Sequence, residues 1–227
     1  MTFRGKIPEP TVRRLSLYLR ELRIREDSAQ TTISSKKLGQ ALGFTDAQVR
    51  KDLALFGQFG QPGVGYDINE LIERLRKILG KDRRWNACIV GAGNIGRALL
   101  PYGRFRREGF DIVAIFDRDP AVVGTKIGDH VVRPLDEIRA TVREHGVRIG
   151  IIAVPGEAAQ ETADRLVQAG VTGLLNFAPR RLEVPEPAGP RGGERISVVN
   201  VDFTVALEQL AFQMSFSTKG ASDDARR

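Results

Sequence analysis

In 227 residues the chain carries one cysteine, two histidines, two methionines and one tryptophan, and each scarcity closes a class of function. The lone thiol, Cys88, cannot form an internal disulfide, and it stands in the apolar stretch Asn86–Val90, which reads as a buried strand. That suits a reducing compartment, and the cytoplasm is the expected location. No His/Cys cluster offers the spacing of a metal site, so no metal is expected. No apolar run approaches the roughly 20 residues that cross a bilayer, and the basic N-terminus leads into no apolar stretch resembling a signal peptide, so no membrane is expected either.

Reactive groups are equally sparse. His130 reads as part of a Gly-Asp-His turn, and His145 as the end of a helix, where a cation suits the dipole. Neither is placed at a strand end as a general acid or base would be. There is no G-x-S-x-G elbow and no Walker lysine. The expectation is a chain with no catalytic residues.

What is present is unevenly spread. Residues 1–84 hold 17 Lys+Arg against 10 Asp+Glu, whereas residues 85–227 hold 18 of each, so the whole net charge of +7 belongs to the first part. A basic module joined to a neutral one suggests that the first meets a polyanion. Composition is otherwise that of an ordinary globular protein with a core to bury, and the length suits two domains.

The basic part reads as helices. Val12, Leu15, Leu19 and Leu22 recur at helical spacing from about Pro8 to Asp27. Ser34 or Ser35 can cap a short helix that Gly43 ends, and Thr45-Asp-Ala-Gln48 has the form of a capping box opening another, to about Phe56. Two short helices around a tight turn form a helix-turn-helix candidate. Gly57–Tyr66, with four glycines, suits a tight hairpin, the wing of a winged helix. A helix from Asp67 to Leu79 and the charged linker Lys81–Arg84 complete residues 1–84.

From Trp85 strands and helices alternate, the pattern of a parallel sheet with crossover helices. Strands are expected at Asn86–Val90, Asp111–Phe116, Arg148–Val154, Thr172–Asn176 and Ile196–Val201, and helices at Asn94–Arg107, Pro134–His145 and Glu157–Ala169. Pro185–Gly193 reads as a loop. Asp202 is placed to cap a last helix, 202–216, followed by a polar tail, 217–227, expected to be disordered.

Within 85–201 the motif Gly91-Ala92-Gly93-Asn94-Ile95-Gly96 directly follows an apolar strand and opens a helix, the context a dinucleotide fingerprint requires. Gly91 permits the turn, Gly93 the approach of a pyrophosphate, and Gly96 close packing of helix on strand. Asp117 ends the second strand, where an acid binds the adenosine ribose and disfavours a 2′-phosphate, with Arg118 beside it. On the helix-turn-helix the candidate DNA-contacting set is Ser35, Lys36, Gln48, Arg50 and Lys51. Gln48, Arg50 and Lys51 are read as exposed opposite Val49, Leu53 and Phe56, able to reach base edges or phosphates.

Ile7-Pro-Glu-Pro, Arg14-Leu with Tyr18-Leu-Arg20, Ile33-Ser-Ser-Lys36, Val49-Arg-Lys-Asp-Leu53, Gly63-Val-Gly-Tyr66, Gly91–Leu99, Phe116-Asp-Arg-Asp-Pro120, Ala153-Val-Pro155, Asn176-Phe-Ala-Pro179 and Asn200-Val-Asp-Phe203 occur in that order. Together they resemble the Rex family of redox-sensing transcriptional repressors. The resemblance implies an α/β chain: an N-terminal winged helix-turn-helix domain (1–84), a Rossmann NAD(H)-binding domain (85–201) and a C-terminal helix (202–216) swapped between protomers. It implies a homodimer that binds double-stranded, palindromic operator DNA, takes NADH or NAD+ as cofactor, and leaves DNA when NADH binds. By the same resemblance, Val154, Pro155, Asn176, Ala178 and Pro179 stand on the nicotinamide side, and Tyr102, Asp202 and Phe203 act against the partner's cofactor. Arg20 is the family's position for pairing with the acid at Asp202, a switch between domains. Where family wings often carry a basic residue this chain has Pro62, leaving Gln61 or the backbone for the minor groove. The rival readings are an NAD-dependent oxidoreductase with an accessory helical domain, and a CoA-binding Rossmann module.

Overall fold

The computed structural model describes residues 7–26, 31–60, 63–185 and 195–223, with the side chains of the last helix described to Ser215. They form two units, Met1–Arg83 and Arg84–Arg227, each with its own core.

In the first unit, α1 (Glu9–Arg25) carries Pro10 in its opening turn, where a missing N–H leaves no bond unmade. Its buried stripe is Thr11, Leu15, Tyr18, Leu19 and Leu22, while Val12, expected inside, is exposed. The stripe is rotated because Tyr18 and Thr11 face a polar partner described below. After β1 (Thr32–Ile33) comes α2 (Ser35–Leu42), capped by Ser34, whose Oγ accepts the Lys37 N–H at 3.2 Å, and closed by Gly43 in the left-handed region. Thr45 Oγ1 accepts the Gln48 N–H at 3.1 Å and opens α3 (Asp46–Ala54). β2 (Tyr66–Asp67) leads into α4 (Ile68–Ile78), capped by Asp67. Leu15, Leu19, Leu38, Val49, Leu53 and Leu75 fill the core.

The wing differs from the expected hairpin within 57–66. The strand after the glycine segment pairs back to β1, with Ile33 opposite Tyr66. The described part of the segment is instead a tight turn, in which a Cβ on Gly60 would lie 2.2 Å from the Gly65 carbonyl oxygen. Arg74 of α4 holds its base, donating to Gln58 O at 3.1 Å and lying 5.2 Å over the Phe59 ring. Gln61 and Pro62 lie outside the described residues.

The second unit contains β3 (Trp85–Val90), α5 (Asn94–Leu99), α6 (Arg104–Arg107), β4 (Phe110–Asp117), β5 (Lys126–Ile127), β6 (His130–Pro134), α7 (Ile138–His145), β7 (Ile149–Ile152), α8 (Gly156–Ala169), β8 (Gly173–Asn176), β9 (Ser197–Asn200) and α9 (Phe203–Asp223). Among the described residues, one sheet has the order β5-β6-β4-β3-β7-β8-β9, parallel except for the β5–β6 hairpin. The chain winds outward from β3 to β6, then returns to β7 on the other side of β3. The strand order therefore reverses between β3 and β7, where open α/β sheets bind ligands.

Three sequence expectations need correction here. The helix expected over Asn94–Arg107 is broken, because Pro101 lacks the N–H that would continue it. His130 closes the Gly128–Asp129 turn as the partner of Ile127 but also opens the strand β6, so it lies at the N-terminal end of that strand, four residues before Pro134 at the ligand edge. The β5–β6 hairpin is too short for periodicity to reveal. Finally, the backbone of α9 stays helical to Asp223, past Phe216 where a disordered tail was expected, since extending a formed helix needs no apolar stripe. The loop expected at Pro185–Gly193 lies, beyond Pro185, outside the described residues.

Cys88 faces the core from β3 with no exposed surface, and burial pushes its thiol up to about 12. It should therefore be inert to a thiol reagent such as Ellman's reagent in the folded protein and titrate fully only in denaturant. Rapid native labelling would show that this strand opens readily. Among the described residues no helix is long and apolar enough to cross a membrane.

Candidate dinucleotide site and nucleic-acid face

The glycine turn follows β3 at the point where the strand order reverses. Gly91 has φ 104°, and a Cβ there would lie 2.3 Å from the Ala153 carbonyl oxygen, so the turn passes directly against the end of β7. A Cβ on Gly96 would lie 1.9 Å from the Gly91 carbonyl oxygen, which presses α5 onto the turn. Gly93 differs: it is exposed and a Cβ would meet nothing within 4 Å. The amides of Asn94, Ile95 and Gly96 precede the first intrahelical bond, Arg97 N–H to Gly93 O at 2.9 Å. Asn94 and Ile95 are exposed; Ala92 is buried.

Asp117, at the end of β4, braces this turn. Its Oδ2 accepts the Ala92 N–H at 2.7 Å, and its Oδ1 accepts the Asp119 N–H at 2.9 Å. Each carboxylate oxygen keeps a further lone pair for a hydroxyl donor. Arg118 is exposed beside it.

On the neighbouring strands, Val154 is half-buried and Pro155 exposed after β7, and Ala178 is buried and Pro179 exposed after β8. The two loops meet, since a Cβ on Gly156 would be 3.8 Å from Pro179 Cγ. Asn176 is fully buried, and its amide is committed within the fold. Nδ2 donates to Arg180 O (2.8 Å), Asn200 Oδ1 (2.9 Å) and Ala178 O (3.3 Å), and Oδ1 accepts the Ala178 N–H (3.0 Å). It knots the β8 loop to the end of β9. Glu183 is tied down further along, its N–H and C=O both bonded to the Gln160 amide at 2.9 and 2.8 Å.

Asp202 caps α9, its Oδ1 accepting the Thr204 and Val205 N–H groups at 2.8 and 3.2 Å. Phe203 lies 6.3 Å from the Phe177 ring, centroid to centroid, yet is 63% exposed. Tyr102, half-exposed in the break between α5 and α6, stacks edge-on against Phe105. Arg20 is exposed on α1, in the other unit.

On the first unit, Arg50 and Lys51 are exposed on α3, and Lys36 on α2. Arg50 Nη1 donates to Asp46 Oδ2 (2.7 Å) and to the half-buried Ser35 Oγ (3.3 Å), drawing α2 and α3 together at one surface. Gln48 departs from the expected exposed face. Its amide turns inward and donates to Asp52 Oδ1 at 2.9 Å.

Asp52, passed over in the sequence, is a buried acid. It accepts from Arg14 Nε and Nη2 at 2.6 and 2.7 Å and from Tyr18 Oη at 2.8 Å, with Thr11 Oγ1 at 3.4 Å. The signal was there: Asp52 lies three residues after Val49, on the core side of α3, where a lone acid demands partners. Burial opposes its ionisation, but hydrogen bonds from Arg14, Tyr18 and Gln48 outweigh it and hold the carboxyl below its usual range. A depressed folded value contributes stability above the unfolded value of about 3.9, lost as pH falls through the folded one. Stability between pH 5 and pH 2 should therefore fall less steeply in Asp52→Asn than in the wild type, as read by thermal melts across that window. Parallel slopes would contradict the linkage.

No group of three or more His, Cys, Asp or Glu among the described residues could hold a metal ion. A winged-helix unit with an exposed basic face, followed by a Rossmann sheet with a glycine turn at its switch point, defines a transcription regulator with a nucleotide-binding domain. Comparison with known proteins makes the class specific. Residues 6–54 match the family model "Putative DNA-binding protein N-terminus", and residues 82–180 match "CoA binding domain". The redox-sensing transcriptional repressor Rex of Carboxydothermus hydrogenoformans is 50% identical over 209 residues, 92% of this chain and 97% of that protein. That of Desulforamulus reducens is 48% identical, over 94% of this chain and 98% of that protein. Among solved structures, RSP in complex with beta-NAD+ and operator DNA superposes with TM-score 0.86 at 35% identity, covering 96% of this chain and 97% of that one. RSP in complex with beta-NADH gives 0.82 at 33% identity, covering 96% and 99%. The chain belongs to the Rex family of redox-sensing transcriptional repressors. The relatives are named as repressors, not as enzymes.

Proposed function

We propose that two copies of this chain bind a palindromic operator in the cytoplasm through their winged-helix units and release it when the Rossmann unit takes NADH in place of NAD+. The observation that carries the cofactor reading is the glycine turn at the β3/β7 switch, open at Gly93 and braced by Asp117. There the amides of Asn94, Ile95 and Gly96 receive pyrophosphate oxygens over Gly93, with Gly91 and Ala92 shaping the turn. The free lone pairs of Asp117 accept the adenosine ribose hydroxyls and repel a 2′-phosphate, with Arg118 flanking the adenosine end. Val154, Pro155, Ala178 and Pro179 face the nicotinamide side, and Asn176 holds their loop in place.

The homodimer rests on α9. Its exposed Phe203, Val205, Leu207, Leu210, Phe212 and Met214 call for burial against more than their own unit, and a second copy, by helix exchange, is the simplest cover. Asp202, Phe203 and Tyr102 then close over the partner's cofactor, and Arg20 pairs with Asp202 in one of the two states. The reduced ring is neutral and puckered, the oxidised ring charged and planar; an apolar enclosure favours the neutral form. A preference of about 3 kcal/mol for the closed dimer shifts the population on the order of 100-fold. On DNA, Arg50 and Lys51 approach base edges or phosphates from α3, while Ser35 and Lys36 approach the backbone from α2 and the wing residue Gln61 the minor groove. RSP, crystallised with operator DNA and NAD+ and separately with NADH, supports both halves of the reading.

Titrating a palindrome selected from randomised half-sites tests it directly, at fixed salt, with NADH or NAD+ present. NADH should release the duplex and NAD+ should not; equal grip with either form would refute the proposal. Lys51→Ala should weaken duplex binding and leave NADH affinity unchanged, and equal loss of both would contradict the division of labour.

A further inference from the structure

We infer that Asp52 is the positioning residue of the recognition helix and that Gln48 is one of its struts rather than a reader of bases; the inference rests on the DNA-binding reading above. Side chains on α3 can report base sequence only if the helix keeps one angle and depth relative to the rest of its unit. Apolar packing through Val49 and Leu53 is non-directional and permits small rotations and slides. Asp52 removes that freedom. One carboxylate, nearly without exposed surface, is gripped by the two-pronged fork of Arg14 and by the Tyr18 hydroxyl, both on α1. The planar fork and the phenol approach from fixed directions, which sets α3 against α1 in angle as well as distance.

Gln48 completes the set from one turn earlier on α3. With its amide donating inward, its side chain is withdrawn from the surface that Arg50 and Lys51 occupy. Among the described residues no buried side-chain nitrogen or oxygen lacks a hydrogen-bond partner, so the cluster is a closed network, the kind that specifies one geometry rather than several. Arg50 adds a second constraint at the surface through Asp46 and Ser35, holding the α2–α3 turn beneath the same face.

A positioning role and a merely stabilising one make different predictions. The full-length Asp52→Asn, Tyr18→Phe and Gln48→Ala variants are titrated, well below their melting temperatures, against the wild-type-selected palindrome, a panel in which each half-site base pair is changed in turn, and a non-specific duplex. Asp52→Asn and Tyr18→Phe should lose specific affinity by about 10- to 100-fold, comparable to losing one base contact, while non-specific affinity stays near wild type. Gln48→Ala should weaken every member of the panel by a similar factor. NADH affinity should be unchanged in all three. Tyr18→Phe removes one hydroxyl and keeps the ring, so it reports even if Asp52→Asn does not fold.

A folded Tyr18→Phe protein with wild-type discrimination would overturn the inference. So would a Gln48→Ala protein that relaxes discrimination at one symmetric base-pair position and nowhere else, because Gln48 would then be reading that base. A wild-type chain that selects no palindrome would instead overturn the DNA-binding reading itself.

Discussion

Gly96→Ala should destabilise the second unit at its ligand edge, whereas Gly93→Ala, three residues away, should leave the fold intact and weaken the ligand. The contrast follows from what each new methyl group meets. At Gly96 it lies 1.9 Å from the backbone carbonyl oxygen of Gly91, which cannot swing aside as a side chain can, so helix and turn must separate. Overpacking of this kind costs about 1–3 kcal/mol or more, and the upper end is expected against backbone. In a chain of this size, about 3 kcal/mol lowers the melting temperature by roughly 6–12 °C. At Gly93 the methyl meets nothing within 4 Å, and the change in stability should stay within about 0.5 kcal/mol. Yet that open space is where the pyrophosphate is proposed to pass, and the methyl should weaken NADH at least about tenfold, or 1.4 kcal/mol. Melting curves and an NADH titration of the two variants measure both effects. A stable Gly93→Ala protein with undiminished NADH affinity would place the dinucleotide elsewhere.

The double substitution Leu207→Asp/Leu210→Asp should turn a dimer into a monomer and abolish tight operator binding. Both leucines are more than half exposed on α9 within a single chain, so neither change empties that chain's own core. If a second copy covers them, each buried carboxylate opposes association by several kcal/mol, and two such changes exceed what a dimer of micromolar or even nanomolar affinity withstands. Sedimentation velocity at micromolar concentration separates the outcomes, with circular dichroism to confirm that helix content is kept. Operator binding should fall with the dimer, because one winged-helix unit reads only half a palindrome. A variant that sediments as the wild type does would show that α9 is not the interface.

The parts of the site legible in the sequence were those whose chemistry lies within a few residues. Gly91 and Gly96 each answer a constraint imposed by the turn between β3 and α5, and Asp117 could be placed because a strand ends there. Thr45 and Asp202, and one of Ser34 and Ser35, were readable as caps because the helices they open begin beside them. The positive charge concentrated before Trp85 needed only counting. Pro101 was equally visible, and periodicity was wrongly carried through it.

Other features depended on partners distant in the chain. Asn176 is a ligand-side position by resemblance to the family, and only the structure shows its amide engaged by Arg180, Ala178 and Asn200. Gln48 reads as an exposed base reader because Arg50 and Lys51 flank it, and only the presence of Asp52 beneath it, ionised by α1, turns it inward. His130 reads as a turn residue, and only its pairing with Ile127 and the register of β6 beside β4 show that a strand begins there.

By itself the amino-acid order determined the division into a basic helical module and a nucleotide-binding sheet, the place of the glycine turn, and the apolar last helix, since each is written in local spacing and composition. Tertiary structure alone decided which polar side chains are spent inside: Arg14 and Tyr18 reach Asp52 across 38 and 34 residues of chain, and Asn176 reaches Asn200 across 24. Hydrogen bonds act over about 3 Å, so such pairs exist only once folding has brought the strands and helices together.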